Sequence, residues 1–154
     1  MSSIERFTPH VTVAIVVERD GMFLLVEETS GGKTVLNQPA GHLEKDESLL
    51  DAAVRETLEE TGWAVDITHL IGIQLYRAPS NGVTYLRATF SANPLERRTE
   101  KLDDGIIAAH WLTESDIRSR EAQLRSPLVL QAVEAYLDGI CYPLSILHPP
   151  VLDI

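Results

Sequence analysis

Three glutamates near the middle of the chain, Glu56, Glu59 and Glu60, stand at i, i+3 and i+4. On a helix turning about 100° per residue they fall within an arc of roughly 100° and bring three carboxylates to one place. Hard divalent cations such as Mg²⁺ take several oxygen donors in near-octahedral array and complete their shell with water and phosphate oxygens. The surrounding stretch, residues 41–60, holds seven acids against two bases, half of the net charge of −10 carried by all 154 residues. Like charges one turn apart cost an isolated helix about 0.2–0.5 kcal/mol per pair, and partial burial adds to that cost, so the arrangement calls for a compensating cation. By themselves the three acids fit a metal cradle and a solvated acidic helix face equally well.

The element that must hold them is a helix over residues 47–61. Leu49, Leu50, Ala53, Val54, Thr57, Leu58 and Thr61 share the side expected to face a sheet, Glu60 lies at its edge, and Gly62 stands where a C-terminal cap is expected. Before it, residues 10–17 and 22–26 read as a hairpin of largely buried strands around Arg19-Asp20-Gly21, residues 29–33 as a loop, and residues 35–40 as a short extended segment. After it come two longer strands, 65–77 and 83–92, around a turn at 79–82. Residues 93–105 read as a polar surface loop and 108–112 as a short strand. A short helix begins at Thr113. A second runs from Ser126-Pro127 to about Leu137, with Ser126 as N-cap and Pro127 in the first turn. Residues 142–154 form an apolar, proline-marked tail expected to lie along the surface. This order predicts an α/β fold, a mixed sheet covered on both faces, in one domain spanning residues 1–154 without repeat or linker.

Gly41, Glu47, Arg55-Glu56, Glu59-Glu60 and Gly62 fit the pattern G-x5-E-x7-R-E-U-x-E-E-x-G-U, where U is a bulky aliphatic residue. This resembles the signature of the Nudix hydrolases. All seven non-apolar positions match, whereas the two U positions, Thr57 and Trp63, depart from aliphatic. The resemblance implies an α/β/α sandwich around a mixed β-sheet and hydrolysis of a diphosphate linkage with Mg²⁺ or Mn²⁺. By motif position it implies that Glu56, Glu59 and Glu60 hold the metal and that one of them activates water. Glu47 is implied as an outer acid at the metal, Arg55 as the residue that orients the glutamates, and Gly41 as the residue that permits a tight loop. A further acid is implied from the loop before the last core strand, where Glu100, Asp103 and Asp104 are available.

The resemblance extends beyond the motif, through residues 9–14, 26–29, 37–44, 124–129 and 142–144, to a branch of the family that acts as unselective phosphatases. It implies release of orthophosphate from nucleoside tri- and diphosphates, from the pyrimidine diphosphate precursor of thiamine, and from thiamine diphosphate. Glu27 and Glu28 stand where several nucleotide-cleaving relatives carry arginines, and a carboxylate suits a ring amino group better than a phosphate. With Gly41, Gln38, Tyr76 and Arg87 they complete the expected substrate-binding set. Two other readings stay open: another specificity within the family, such as ADP-ribose or a different nucleoside diphosphate derivative, or a ligand-sensing domain without turnover. The intact Arg55-Glu56 and Glu59-Glu60 argue against the last.

Composition narrows the partners. A net charge of −10 and a pI near 4.8 disfavour DNA and anionic membranes. No apolar run approaches the roughly 20 residues that cross a bilayer, and the first six residues lack the order of a signal peptide. Cys141 is the only cysteine, so neither an internal disulfide nor a multi-cysteine zinc site is possible. These features predict a cytoplasmic monomer acting on a small molecule. Gly32-Lys33-Thr34 lacks the first glycine of a phosphate-binding P-loop, and the five histidines show no metalloprotease spacing.

Overall fold

In β1 (His10–Arg19), Val13 to Val17 are all at most 1% exposed, because both faces of the strand are covered. The computed structural model describes residues 4–152. A turn through Asp20 and Gly21, both at positive φ, leads into β2 (Met22–Ser30). The two strands share only the pairs Glu18↔Phe23 and Arg19↔Met22 before diverging, so the expected hairpin is confined to its tip. β1 instead runs parallel to β6 (Thr84–Arg97) and antiparallel to β4 (Ala40–His42), and β6 pairs with β5 (Trp63–Arg77). β2 pairs antiparallel with β3 (Lys33–Asn37) and with β7 (Ile106–Thr113).

One face of this mixed sheet is covered by α1 (Leu49–Thr61), whose Ala52 and Ala53 join a core with Val13, Ile15, Val17, Leu24, Val65 and Phe90. The other is covered by α2 (Glu114–Ser119) and α3 (Leu128–Leu137), where Ile117, Val129 and Val133 pack with Val16, Phe23, Leu25 and Leu112. Odd and even residues of β1 and β2 therefore go to different cores, and the fold is the expected α/β/α sandwich. Among the described residues no helix is long and apolar enough to cross a membrane.

Several boundaries differ from the sequence expectation. Residues 93–97 continue β6, paired with Trp63 to Asp66 across a bulge at Ala64/Val65; this end of β6 is mostly exposed and needs no apolar alternation, so its polar sequence reads as a loop. Residues 35–40 fall into two strands, β3 and β4, separated by Gln38-Pro39. The first helix starts at Leu49 because Ser48 caps it, which leaves Glu47 outside. Pro127 rather than Ser126 holds the position before α3, and the Ser126 hydroxyl accepts from the Leu128 N–H at 3.2 Å. In the tail, Tyr142 bridges to Leu70, and Leu144 and Leu147 pack against the α1 side, whereas Val151 and Leu152 are exposed. Asp153 and Ile154 lie outside the described residues.

Candidate active site

The site is built on α1. Its first turn is held by the Ser48 hydroxyl, which accepts from the Asp51 N–H at 3.0 Å. Its last turn ends in Gly62, left-handed at φ 79°, whose N–H donates to the Leu58 carbonyl at 2.8 Å. A side chain there would strike the Thr99 carbonyl as well as strain the backbone. The buried stripe of the helix comprises Ala52, Ala53, Thr57, Glu60 and Thr61. It is rotated from the expected face, and Val54 is 38% exposed. Alanines at 52 and 53 let the helix lie close to the sheet, which brings Glu60 to the middle of the stripe rather than its edge. Thr57, at a position expected to be aliphatic, is fully buried and donates to the Ala53 carbonyl at 2.8 Å, so its hydroxyl is satisfied within the helix.

Arg55 ties the acids together. Its Nε and Nη2 grip the two oxygens of Glu47 at 3.0 and 2.7 Å, a two-point contact that lysine cannot reproduce. Its Nη1 donates to Glu56 at 2.8 Å and to Glu59 at 3.2 Å, and its Nη2 also reaches the His42 carbonyl at 3.0 Å. This contact holds Glu47 below the usual carboxylate range, and Glu47 in turn raises Arg55 above its own.

Glu60 lies apart from that network, 8% exposed, with Oε1 accepting from the Ala40 N–H at 2.7 Å. Burial pushes its carboxyl up to about 8, against the pull of that N–H, and Glu28, Glu56 and Asp103 add to the rise. Glu56 is also raised, by burial first, despite Arg55; Glu59 and Asp103 contribute. Asp103, whose N–H donates to the Glu59 carbonyl at 3.0 Å, is therefore the loop acid whose charge is felt by both Glu56 and Glu60. Glu100 is turned outward toward Arg97.

Gly41 has a different reason from the expected loop. It is paired with Val13 in β4 and has no positive φ, but a Cβ there would overlap the Glu56 carboxyl group, which lies directly against its backbone. Only glycine leaves room for that carboxylate.

Beside these acids a cavity of about 590 Å³ opens between β3, β4, β6, the β5–β6 turn and the segment before α3. Glu28, Gly41, Glu60, Tyr76 and Arg87 of the sequence set line it. Arg87 is 8% exposed, and its one side-chain partner is Gln38 Oε1 at 3.1 Å; among the described residues no carboxylate pairs with it. Burial first, then the neighbouring Arg125, push its guanidinium down to about 10, so it stays charged at neutral pH.

Two expected residues do not line the cavity. Gln38, 1% exposed, is tied to the Val129 carbonyl at 2.7 Å and braces Arg87 from behind; Glu27 points to the other face of β2 and meets His110 at 2.7 Å. The alternation of a strand admits only one of two successive residues to a face. Sequence reasoning missed Arg125, which donates to Glu28 at 2.6 Å, and His42, which contacts His10 at 3.0 Å and whose pKa is lowered by burial, then by His10 and Arg125. Both line the cavity but come from segments far apart in the chain.

Among the described residues no three acidic or imidazole groups close on one point: Arg55 draws Glu47, Glu56 and Glu59, and Ala40 draws Glu60. The donor set nevertheless suits a hard divalent cation. It is all carboxylate, half-sheltered, and borders a cavity whose far wall carries an uncompensated guanidinium.

Comparison with known proteins agrees with this chemistry. Residues 8–132 match the model of the NUDIX domain family. The chain is 43% identical over 143 residues to the proteins named phosphatase NudJ from Shigella boydii serotype 4 (strain Sb227) and Escherichia coli (strain K12), covering 92% of this chain and 92% of each of those. A solved NUDIX hydrolase from Nitrosomonas europaea is similar at 48% identity and a TM-score of 0.90, over 93% of this chain and 98% of that one.

Proposed function

Because the chain belongs to the Nudix hydrolases and so acts on phosphoanhydrides, we propose that it removes orthophosphate from nucleoside tri- and diphosphates and from small pyrimidine diphosphates. The second group includes the thiamine pyrimidine precursor and thiamine diphosphate. Nudix hydrolases work with a divalent metal; in this reading it is Mg²⁺ or Mn²⁺, and Glu56, Glu59 and Glu60 hold it with Glu47 in support. The chemistry such an ion supplies when bound is neutralisation of phosphate oxygens and acidification of a water.

The remaining work falls to this chain's own groups. Arg55 holds Glu47, Glu56 and Glu59 in one orientation, and Gly41 leaves the space in which Glu56 lies. Arg87, backed by Gln38, offers a preorganised positive charge to a phosphate oxygen. One observation carries the proposal: a single cavity is bordered by the buried carboxylate of Glu60 and by the buried guanidinium of Arg87, which has no carboxylate partner among the described residues. A cavity acidic on one side and cationic on the other suits a metal-bound phosphoanhydride. The name of the 43% identical relatives, phosphatase, supports orthophosphate as the leaving product.

The reading takes the chain as one domain, acting as a cytoplasmic monomer on small molecules, with no DNA or membrane partner. The charge of −10 and the single cysteine support this. The test is to incubate the protein with Mg²⁺ and GTP, the thiamine pyrimidine diphosphate, or ADP-ribose, and to quantify orthophosphate, pyrophosphate and AMP. Orthophosphate from the first two is expected. Pyrophosphate from GTP, AMP as the main product, or no turnover would each overturn the proposal, the last in favour of a sensing domain.

A further inference from the structure

Arg125 stands on the segment that leads into α3 and lines the cavity with a side chain 48% exposed. Among the described residues only its Nη1 is engaged, by Glu28 Oε1 at 2.6 Å, so Nε and Nη2 have no protein partner. Arg87, on the same cavity, is buried, and its one hydrogen bond runs from Nη2 to Gln38 at 3.1 Å. The one sealed and unpaired side-chain nitrogen or oxygen among the described residues lies elsewhere, at Asn37 Oδ1. The unused donors of Arg87 therefore open onto the cavity.

Two guanidiniums with free N–H groups thus face one space, close enough for Arg125 to disfavour the charge on Arg87. A carboxylate, Glu28, answers only one of them. The surplus of positive charge is local, in a chain of net charge −10. A doubly charged oxyanion offsets it, and the planar fork of a guanidinium matches phosphate oxygens. The Arg125 side chain is not what fastens its segment to the sheet. The backbone does that: the Arg125 N–H donates to the Leu36 carbonyl at 2.9 Å, and Leu124 bridges to Leu36.

We propose that Arg125 is a substrate-binding residue: with Arg87 it holds a phosphate group of the substrate through its unused N–H donors, while Glu28 keeps it aimed. The proposal rests on the reading of this cavity as the substrate site. The contact is made to the part that every phosphoanhydride shares, so it does not depend on the ring.

The experiment has two readouts in the native protein, R125Q, R125K and R120Q, all with Mg²⁺. Isothermal titration calorimetry gives the Kd of methylenediphosphonate, a ring-free diphosphate analogue that water does not cleave, and steady-state kinetics give KM and kcat for GTP. R125Q is expected to bind the analogue about tenfold more weakly and to raise KM for GTP by a similar factor, with kcat within about threefold of native. R125K keeps a charge for Glu28 but not the fork, and is expected to lose about threefold; it carries the comparison should R125Q not fold. R120Q removes the same charge from an exposed residue outside the cavity and is expected to bind as the native protein does. No binding of the analogue by the native protein, native affinity in the Arg125 variants, or an equal loss in R120Q would each overturn the proposal. So would a loss confined to kcat, or a loss for GTP with none for the analogue. Binding of the analogue that weakens in R125Q, without turnover of GTP by the native protein, would overturn the proposed function and leave the Arg125 contact standing, so the two failures are distinguishable.

Discussion

The contact between Gly41 and Glu56 leads to a prediction that separates steric from conformational roles. The φ of Gly41 is not positive, so alanine is compatible with its backbone, and strain alone predicts little effect. The added Cβ, however, would overlap Cδ and both Oε atoms of Glu56 together. The backbone at 41 is clamped in a ladder with Val13, so the carboxylate must yield, by about 1 Å or more, to regain van der Waals contact. Overpacking of this kind costs about 1–3 kcal/mol of stability. Displacement of a reacting group by about 1 Å costs on the order of 10²-fold in rate. Gly41→Ala is therefore expected to lower kcat on GTP with Mg²⁺ about 10²-fold and to lower the melting temperature by several degrees while the protein stays folded. Glu56→Asp withdraws the carboxylate by one methylene; in that background, itself slow, adding Gly41→Ala is expected to cost little more. A double-mutant cycle over the four proteins reads this coupling. Near-native kcat for Gly41→Ala, or an equal cost in both backgrounds, would refute the clash as the reason for the glycine.

Three further outcomes follow from the same geometry. The folded metal-free protein keeps a proton on Glu60 up to about pH 8, whereas the unfolded chain releases it near 4.5, so stability falls as pH rises through that interval, by on the order of a few kcal/mol. Urea melts in EDTA at pH 5.5 and 8.5 check this: the native protein is expected to lose stability at the higher pH, Glu60→Gln to lose much less, and Glu60→Gln to lower kcat by orders of magnitude; equal pH slopes would remove burial as the cause. Arg55→Lys keeps the charge but not the two-point grip on Glu47, and is expected to lower kcat about 10²-fold with little change in KM, measured by steady-state kinetics. Glu27→Gln is expected to leave KM for aminopyrimidine substrates unchanged and Glu28→Gln to raise it, since only Glu28 faces the cavity; an effect of Glu27 equal to that of Glu28 would contradict the strand alternation.

What could be read in the sequence was what is local. The helix announced itself over residues 47–61 through a 3.6-residue period and Gly62, although its true start, set by the Ser48 cap, lies two residues later, and the spacing of Glu56, Glu59 and Glu60 required only helical geometry. The rotation of that helix was not legible, because it depends on how closely Ala52 and Ala53 approach a sheet assembled from distant strands, and it is this rotation that buries Glu60 while leaving Val54 exposed. The strand character of residues 93–97 was hidden for a related reason: it comes from pairing with Trp63 to Asp66, not from any periodicity of its own. Glu27 and Glu28 were equivalent in sequence until the register of β2 assigned them to opposite faces. The place of Arg125 at the cavity needed a three-dimensional fact, an ion pair with Glu28 spanning 97 residues.

The two sides of the site are also separate in the fold, and this bears on how its selectivity can change. The carboxylates come from α1 and the loop before it and are braced from within by Arg55 and by the backbone of β4. The opposite wall comes from β3, β6, the β5–β6 turn and the approach to α3, elements that touch the acids mainly through Glu28, Glu60 and the cavity between them. A substitution on that wall, at Tyr76 for example, can alter which organic group fits without moving Arg55 or its glutamates. A change at Gly41 or Arg55 has no such freedom, since it shifts the carboxylates that the proposed reading assigns to the metal for every substrate. In the proposed function, then, the helix sets the bond that is cut, and the facing strands choose the molecule that carries it.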